Sequence, residues 1–256
     1  MDGVLSGRLR RFIQDNLPVV EVPPAGGIRL HLAGPRSGMA RLAGIDARDD
    51  GPPYWAYLWG GGLALARHVL DNPEIVAGRR VLDLGAGCGV VGIAAARAGA
   101  LQVIAADVAP GALAATQLNA AKNGVTITPM LGDLTAGAPP AVDVVLVGDL
   151  FYEAALATRV VAFLDRCLAS GIAVLIGDPW RAHLPHARLE LLAEYPRPDF
   201  GTGEAARQAT NAVFAYRLGQ RPGRRDESAA AASVLDLKFA SVLDQAVSEL
   251  QIQKAH

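Results

Sequence analysis

Val81-Leu82-Asp83-Leu84-Gly85-Ala86-Gly87-Cys88-Gly89 reads as a buried strand running straight into a glycine-rich turn. The next residues, Val90 to Ala98, read as a helix that ends at Gly99. Strand, glycine turn and helix in this order begin an open α/β sheet whose turn cradles a phosphate or a nucleoside. A turn this tight needs φ > 0, and a ligand touches backbone only where no Cβ intervenes.

Two ligand classes use such a turn. Gly87-Cys88-Gly89-Val90-Val91-Gly92 matches the dinucleotide fingerprint G-x-G-x-x-G, a weak signal by itself. Asp83 distinguishes them, because it puts a carboxylate two residues before the first glycine, at the end of an apolar strand. That charge would repel a pyrophosphate and attract an ammonium and a sulfonium. S-adenosylmethionine carries this charge pattern, and the run resembles motif I of the seven-strand S-adenosylmethionine-dependent methyltransferases. A nicotinamide or flavin enzyme is the weaker reading.

The strands that follow extend the same sheet. Leu101 to Ala106 ends at Asp107, which lies 24 positions after Asp83. In a βαβ unit that spacing sets an acid at the same carboxyl edge, one strand over, where it can accept both ribose hydroxyls. The competing reading is a helix N-cap, since Pro110 follows at a first helical position and the helix Ala112 to Lys122 stops at Asn123-Gly124. Val125 to Leu131 is a strand followed by Asp133, an acceptor for an adenine amino group or a turn former. Val142 to Gly148 is a continuous apolar run, as for a central parallel strand. It ends in Gly148-Asp149-Leu150-Phe151-Tyr152, and Asp149 is expected to face Asp83 across the crevice between the first and fourth strands, close to the transferable methyl. Ala154 to Leu168 is a helix and Ala173 to Ile176 a strand ending in Gly177-Asp178-Pro179-Trp180. Leu189 to Tyr195 and Val213 to Leu218 are expected to form an antiparallel hairpin, joined by a loop, Pro196 to Asn211, near the site.

Ahead of the sheet, residues 1–50 read as an appendage: an amphipathic helix within Met1 to Asn16, then a hairpin of Val19 to Val22 and Ile28 to Leu32. Arg8, Arg10 and Arg11 also suit an organellar presequence, but Asp2 and Asp15 disfavour that reading. Gly51 to Trp59 holds Tyr54, Trp55, Tyr57 and Trp59 in a chain otherwise poor in aromatics. Tyr54 and Trp55 suit either a lid on the core or a cavity wall. Trp59 is read as lining the cofactor cavity, because it leads into Gly60-Gly61-Gly62, which permits close backbone approach. The domain proper then spans residues 51–218, and 219–256 form a linker and a C-terminal helix over Val234 to Ile252.

The chain of 256 residues has a net charge of −1, which offers no global attraction to nucleic acid or an anionic membrane. No apolar run approaches the roughly 20 residues of a membrane span. Two distant cysteines, Cys88 and Cys167, argue against a disulfide framework and suit a reducing compartment. The expected location is cytoplasmic, or the mitochondrial matrix for a eukaryotic source, and the expected state is a monomer. His183 and His186 are spaced H-x-x-H, but no glutamate accompanies them and Pro185 breaks the helix, so no metal is expected.

Taken together, Pro52-Pro53-Tyr54-Trp55-Ala56, Trp59 with its glycines, the motif I run, Gly148-Asp149-Leu150-Phe151-Tyr152 and Ile176-Gly177-Asp178-Pro179 resemble the protein-lysine methyltransferases of the electron transfer flavoprotein beta subunit. The resemblance covers about residues 10 to 218 and implies a bacterial member with a Rossmann-like seven-strand sheet, mostly parallel with an antiparallel C-terminal hairpin. It implies trimethylation of lysines near the flavoprotein's dehydrogenase-recognition loop, and bacterial members also act on a ribosomal stalk protein. Trp59, Asp83, Gly85, Gly87, Cys88, Asp107, Asp133 and Asp149 are then the cofactor residues. Asp149 and Tyr152 serve the lysine, inside a channel walled by Tyr54, Phe151, Tyr152 and Trp180. S-adenosylhomocysteine is the implied product. Gly60 departs from the family, which has proline there. A methyltransferase of a small molecule, and a nonenzymatic cofactor-binding domain acting through partners, are the alternatives.

Overall fold

Seven strands form one twisted sheet whose order places the site. The structure, a computed structural model, describes residues 3–45, 52–196 and 210–218. The sheet contains β3 (Arg80–Leu84), β4 (Gln102–Asp107), β5 (Thr128–Leu131), β6 (Val144–Gly148), β7 (Ala173–Asp178), β8 (Leu189–Pro196) and β9 (Thr210–Tyr216). Their order is β5-β4-β3-β6-β7-β9-β8, with β9 antiparallel to both β7 and β8 and the rest parallel. This is the expected mostly parallel sheet with an antiparallel terminal hairpin. Strand order reverses between β3 and β6, so their carboxyl ends open a crevice.

Alternation along each strand divides the side chains between two layers. Leu82 and Leu84 of β3, Val145 and Val147 of β6 and Ile176 of β7 point to one face. There they meet α5 (Ala154–Ala169), whose buried Ala157, Val160, Phe163, Leu164 and Cys167 recur at helical spacing. The other face is covered by α2 (Gly60–Asp71), α3 (Val90–Arg97) and α4 (Pro110–Lys122). All four residues Val144 to Val147 are 0% exposed, so each contributes roughly 1.5–3 kcal/mol of burial. That double-sided burial is why this run lacks polar alternation.

The N-terminal residues form α1 (Gly3–Asn16) and a hairpin of β1 (Val19–Val22) and β2 (Ile28–His31), as expected. Leu9, Phe12 and Ile13 of α1, with Leu17 just after it, pack with Trp55, Ala112, Ala115 and Leu118, so this layer backs α4. Trp55 is thereby a core residue, the lid alternative of its two readings. Cys88 and Cys167 are buried free thiols. Residues through Arg217 form one compact unit; of the second, Leu218–His256, only Leu218 is described. The expected C-terminal helix, and most of the loop between β8 and β9, lie outside the described residues.

Candidate active site

The glycine turn is held by its neighbours' backbone. Gly85, Gly87 and Gly89 have φ of +71°, +54° and +81°. Gly85 N and Ala86 N both donate to Ala106 O, at 2.9 and 3.1 Å, which stitches the turn to the end of β4. Gly87 N donates to Asp107 Oδ2 at 3.0 Å. A Cβ on Gly87 would stand 3.8 Å from Trp55 Cα, in ordinary contact, so it is the φ of +54° rather than crowding that favours glycine there. Asp107 is half-buried beside it, and its Oδ1 accepts from Ala109 N at 2.9 Å, just ahead of Pro110. Asp107 is not itself the N-cap, which is Ala109; its two oxygens tie the glycine turn to the entry of α4. A backbone cradle next to a strand-end acid fits the adenosyl and ribose groups of S-adenosylmethionine.

Two side chains of α4 pin this turn and had no place in the sequence reading. Thr116 Oγ1 donates to Gly87 O at 3.1 Å, and Asn119 Nδ2 to Cys88 O at 2.8 Å. Asn119 Oδ1 also accepts from His31 N at 2.7 Å, which ties in the hairpin. The available signal was two polar residues one turn apart on an alanine-rich helix; buried there, they need partners. Cys88 enters the site through its carbonyl, since its thiol is buried and pushed up to about 12 by that burial.

Asp83 departs from expectation. It is 1% exposed, on the α3 side of the sheet, and Oδ2 accepts from Gly92 N at 2.8 Å. Burial raises its carboxyl to about 7. It does not present a charge to the crevice; it fastens α3 to β3 behind the turn. Leu150 packs on the turn, its Cδ atoms occupying the space that a Gly85 Cβ would need. Asp133 takes the turn-forming role: Oδ1 accepts from Thr135 N at 2.8 Å and Thr135 Oγ1 at 2.5 Å, while Oδ2 lies 3.8 Å from Arg159. The Thr135 hydroxyl, followed by its amide and Arg159, holds this carboxyl below the usual range.

At the end of β6 the backbone leaves extended geometry. Asp149 has φ of +60°, a conformation that aspartate tolerates better than most residues. Strict alternation would send its side chain to the α5 face with Val145 and Val147. The left-handed turn instead brings Oδ2 2.5 Å from Gly62 N, in the first turn of α2. Its other oxygen accepts from Arg181 Nη1 at 2.6 Å. The glycine triplet explains the approach. A Cβ at Gly61 would stand 2.2 Å from Gly177 O, and one at Gly148 would stand 2.9 Å from Gly62 Cα. These glycines let α2 meet the ends of β6 and β7, so the close backbone approach they permit is made by neighbouring strands.

The aromatic residues separate into two groups. Tyr54, Trp59 and Tyr152 form an exposed cluster at the mouth, with Tyr54 centroids 5.7 Å from Trp59 and 5.8 Å from Tyr152. Tyr57 extends it, and Trp59 Nε1 donates to Tyr54 O at 2.8 Å. Burial raises the Tyr152 phenol. Phe151 is not a channel wall: it is 0% exposed in the core beneath α5. Trp180 also stands apart, stacked on His186 and edge-on to Phe214 at 4.8 Å, with Nε1 donating to Glu194.

The family model of the ribosomal protein L11 methyltransferase (PrmA) matches residues 65–151. The chain is 43% identical over 170 residues to the electron transfer flavoprotein beta subunit lysine methyltransferase of Danio rerio, covering 64% of this chain and 66% of that protein. The chain therefore spans slightly under two thirds of that relative's length. The enzyme of the same name from Mus musculus is 35% identical over 222 residues, with 83% of this chain and 86% of that protein aligned. The Homo sapiens enzyme is 34% identical over 223 residues, with 83% and 84% aligned.

Proposed function

The chain belongs to the family of the electron transfer flavoprotein beta subunit lysine methyltransferases, and from that premise we propose that it transfers methyl groups from S-adenosylmethionine to protein lysines. The expected acceptor is an electron transfer flavoprotein beta subunit, the substrate named for those relatives. The observation that carries this reading is the switch point between β3 and β6, where the glycine turn with Asp107, the Asp149 carboxylate and the cluster of Tyr54, Trp59 and Tyr152 stand at or just beyond the carboxyl ends of the strands. The stretch matched by the L11 methyltransferase model runs from α2 to the end of β6, so it supports the cofactor half and says little about the acceptor.

Bound S-adenosylmethionine supplies an electrophilic methyl on a sulfonium, open to in-line displacement. Gly85, Gly87 and Asp107 would hold the adenosyl end, leaving the chain to align an amine. The acceptor must be neutral. A free lysine has a pKa near ~10.4, so reaching the neutral form near pH 7.4 costs about 4 kcal/mol. Tyr54, Trp59 and Tyr152 lower that cost by excluding water, and their faces favour methylated ammonium groups by cation–π attraction, which suits repeated transfer. Asp149 orients the amine from the crevice side; with Arg181 and Gly62 N on its two oxygens it acts by position rather than as a free base. The expected compartment is the cytoplasm, in keeping with two buried thiols.

The direct test is incubation of the full chain with labelled S-adenosylmethionine and a bacterial lysate supplemented with a purified flavoprotein beta subunit, followed by mass spectrometry. Methyl-lysine on that subunit is the expected result. Label on a different protein would change the acceptor. Label on small molecules alone would overturn the protein-lysine assignment.

A further inference from the structure

A guanidinium stands where a lysine is expected to arrive. Arg181 Nη1 lies 2.6 Å from Asp149 Oδ1 and 2.9 Å from Asp178 Oδ2, and the Arg181 amide donates to Asp178 Oδ1 at 2.7 Å. The three side chains are 22%, 10% and 0% exposed for Arg181, Asp149 and Asp178. Two non-glycine residues among those described have positive φ, Asp149 and Trp180, and the Arg181 bridge joins the loops that contain them. Strained residues of this kind persist where surrounding contacts over-determine them, and they gather at functional sites. Asp149 N donates to Gly177 O at 3.0 Å, so the ends of β6 and β7, the turn before Arg181 and the start of α2 converge on one ion pair.

We propose that Arg181 is a positioning residue of the methyl transfer. By bridging Asp149 and Asp178 it fixes the Asp149 carboxylate against the start of α2 and offsets its charge, so that the crevice accepts lysine as a neutral amine. The inference rests on the lysine-methyltransferase reading above. An uncompensated carboxylate would hold the incoming group as an ammonium, which binds well and does not react. Arg181 removes that trap while keeping an oriented acceptor for the amine's N–H. Among the described residues, Asp178 on β7 and the Cys88 thiol of the glycine turn also interact electrostatically with Asp149. The first turn of α2, Gly60 to Gly62, carries no ionisable side chain, and Tyr152 lies beyond β6 on the mouth.

The test compares wild type, Arg181→Met, Arg181→Lys and Asp178→Asn in the full chain, with S-adenosylmethionine and the flavoprotein beta subunit. In Arg181→Met the acidic limb of kcat moves up by about one pH unit, so kcat at pH 7.4 falls about tenfold. KM for the acceptor does not rise, because the ammonium is bound at least as well. Arg181→Lys keeps the cation and restores most of the limb; Asp178→Asn leaves the limb in place. The Gly62 amide, whose acceptor is Asp149, exchanges its hydrogen faster in Arg181→Met and regains protection in Arg181→Lys. A wild-type limb in Arg181→Met overturns the proposal, as does a loss of kcat with an unmoved limb that Arg181→Lys shares. If wild type methylates no lysine, the reading above fails by itself; hydrogen exchange then decides, and an unchanged Gly62 amide in Arg181→Met overturns the positioning role.

Discussion

The two halves of the crevice are built by different means. On the β3/β4 side the ligand cradle is backbone, and its supports are near in sequence: Asp83 reaches Gly92 across 9 positions and Asp107 reaches Gly87 across 20. On the β6/β7 side the working groups are side chains joined over distance, with Asp149 meeting Gly62 across 87 positions and Arg181 across 32. The first half is drawn from one contiguous stretch, β3 to α4, in which Thr116 and Asn119 also hold the turn. The second exists only when α2 and two strand ends are packed together. A cofactor shared by many enzymes suits the first construction, and an acceptor particular to one enzyme suits the second.

The sharpest way to break this contrast is Asp149→Ala. Methyl transfer should fall by about 10²- to 10³-fold, the scale of loss seen when one preorganised hydrogen-bonding group is removed from an active site. Circular dichroism should still report a folded protein, because Arg181 keeps Asp178 as a partner. Near-normal turnover would move the acceptor site elsewhere. Asp107→Ala tests the other half, and calorimetry should show S-adenosylmethionine affinity reduced roughly tenfold or more, since hydrogen bonds to a charged group contribute about 1.5–3 kcal/mol. Unchanged affinity would leave Asp107 with only its role before α4.

A smaller effect, on stability, separates packing from ligand contact. Gly61→Ala puts a Cβ 2.2 Å from Gly177 O, and overpacking of this kind costs about 1–3 kcal/mol. Denaturant unfolding should register that loss even without ligand; a wild-type midpoint would show that α2 yields easily. The pH dependence of stability isolates Asp83. Its folded carboxyl titrates near about 7 against an ordinary 3.8, so the folded state retains a proton that the unfolded chain releases. Stability from this group is therefore fully present below about pH 4 and is lost as pH rises toward 7. Asp83→Asn should flatten that decline in urea titrations; an equally steep decline would assign it to another group.

Much of the sheet was legible because its signals are local. The apolar runs, the glycine turn, Pro110 and the stop at Asn123-Gly124 each act on their own neighbours, and strands β3 to β9 emerged within a few residues of the expected limits. The turn and Asp107 were legible for the same reason. Phe151 was not: beside Tyr152 it reads as part of an aromatic channel, but its neighbour Asp149 turns the chain and sends the ring into the core. Trp180 was drawn away by His186, Phe214 and Glu194, partners on the hairpin side. Asp83 carried the right residue type for a charge argument and the wrong face of the strand.

By itself the sequence determined the fold class, the position of the glycine turn and the strand end that bears Asp149. Hydrophobic period and turn chemistry need only a few consecutive residues, and those residues carry the information. Tertiary structure alone decided what Asp149 touches, where the aromatic rings go and that Arg181 belongs to the site. A left-handed aspartate has no distinctive sequence signal, and contacts across 87 and 32 positions depend on packing that no local pattern specifies.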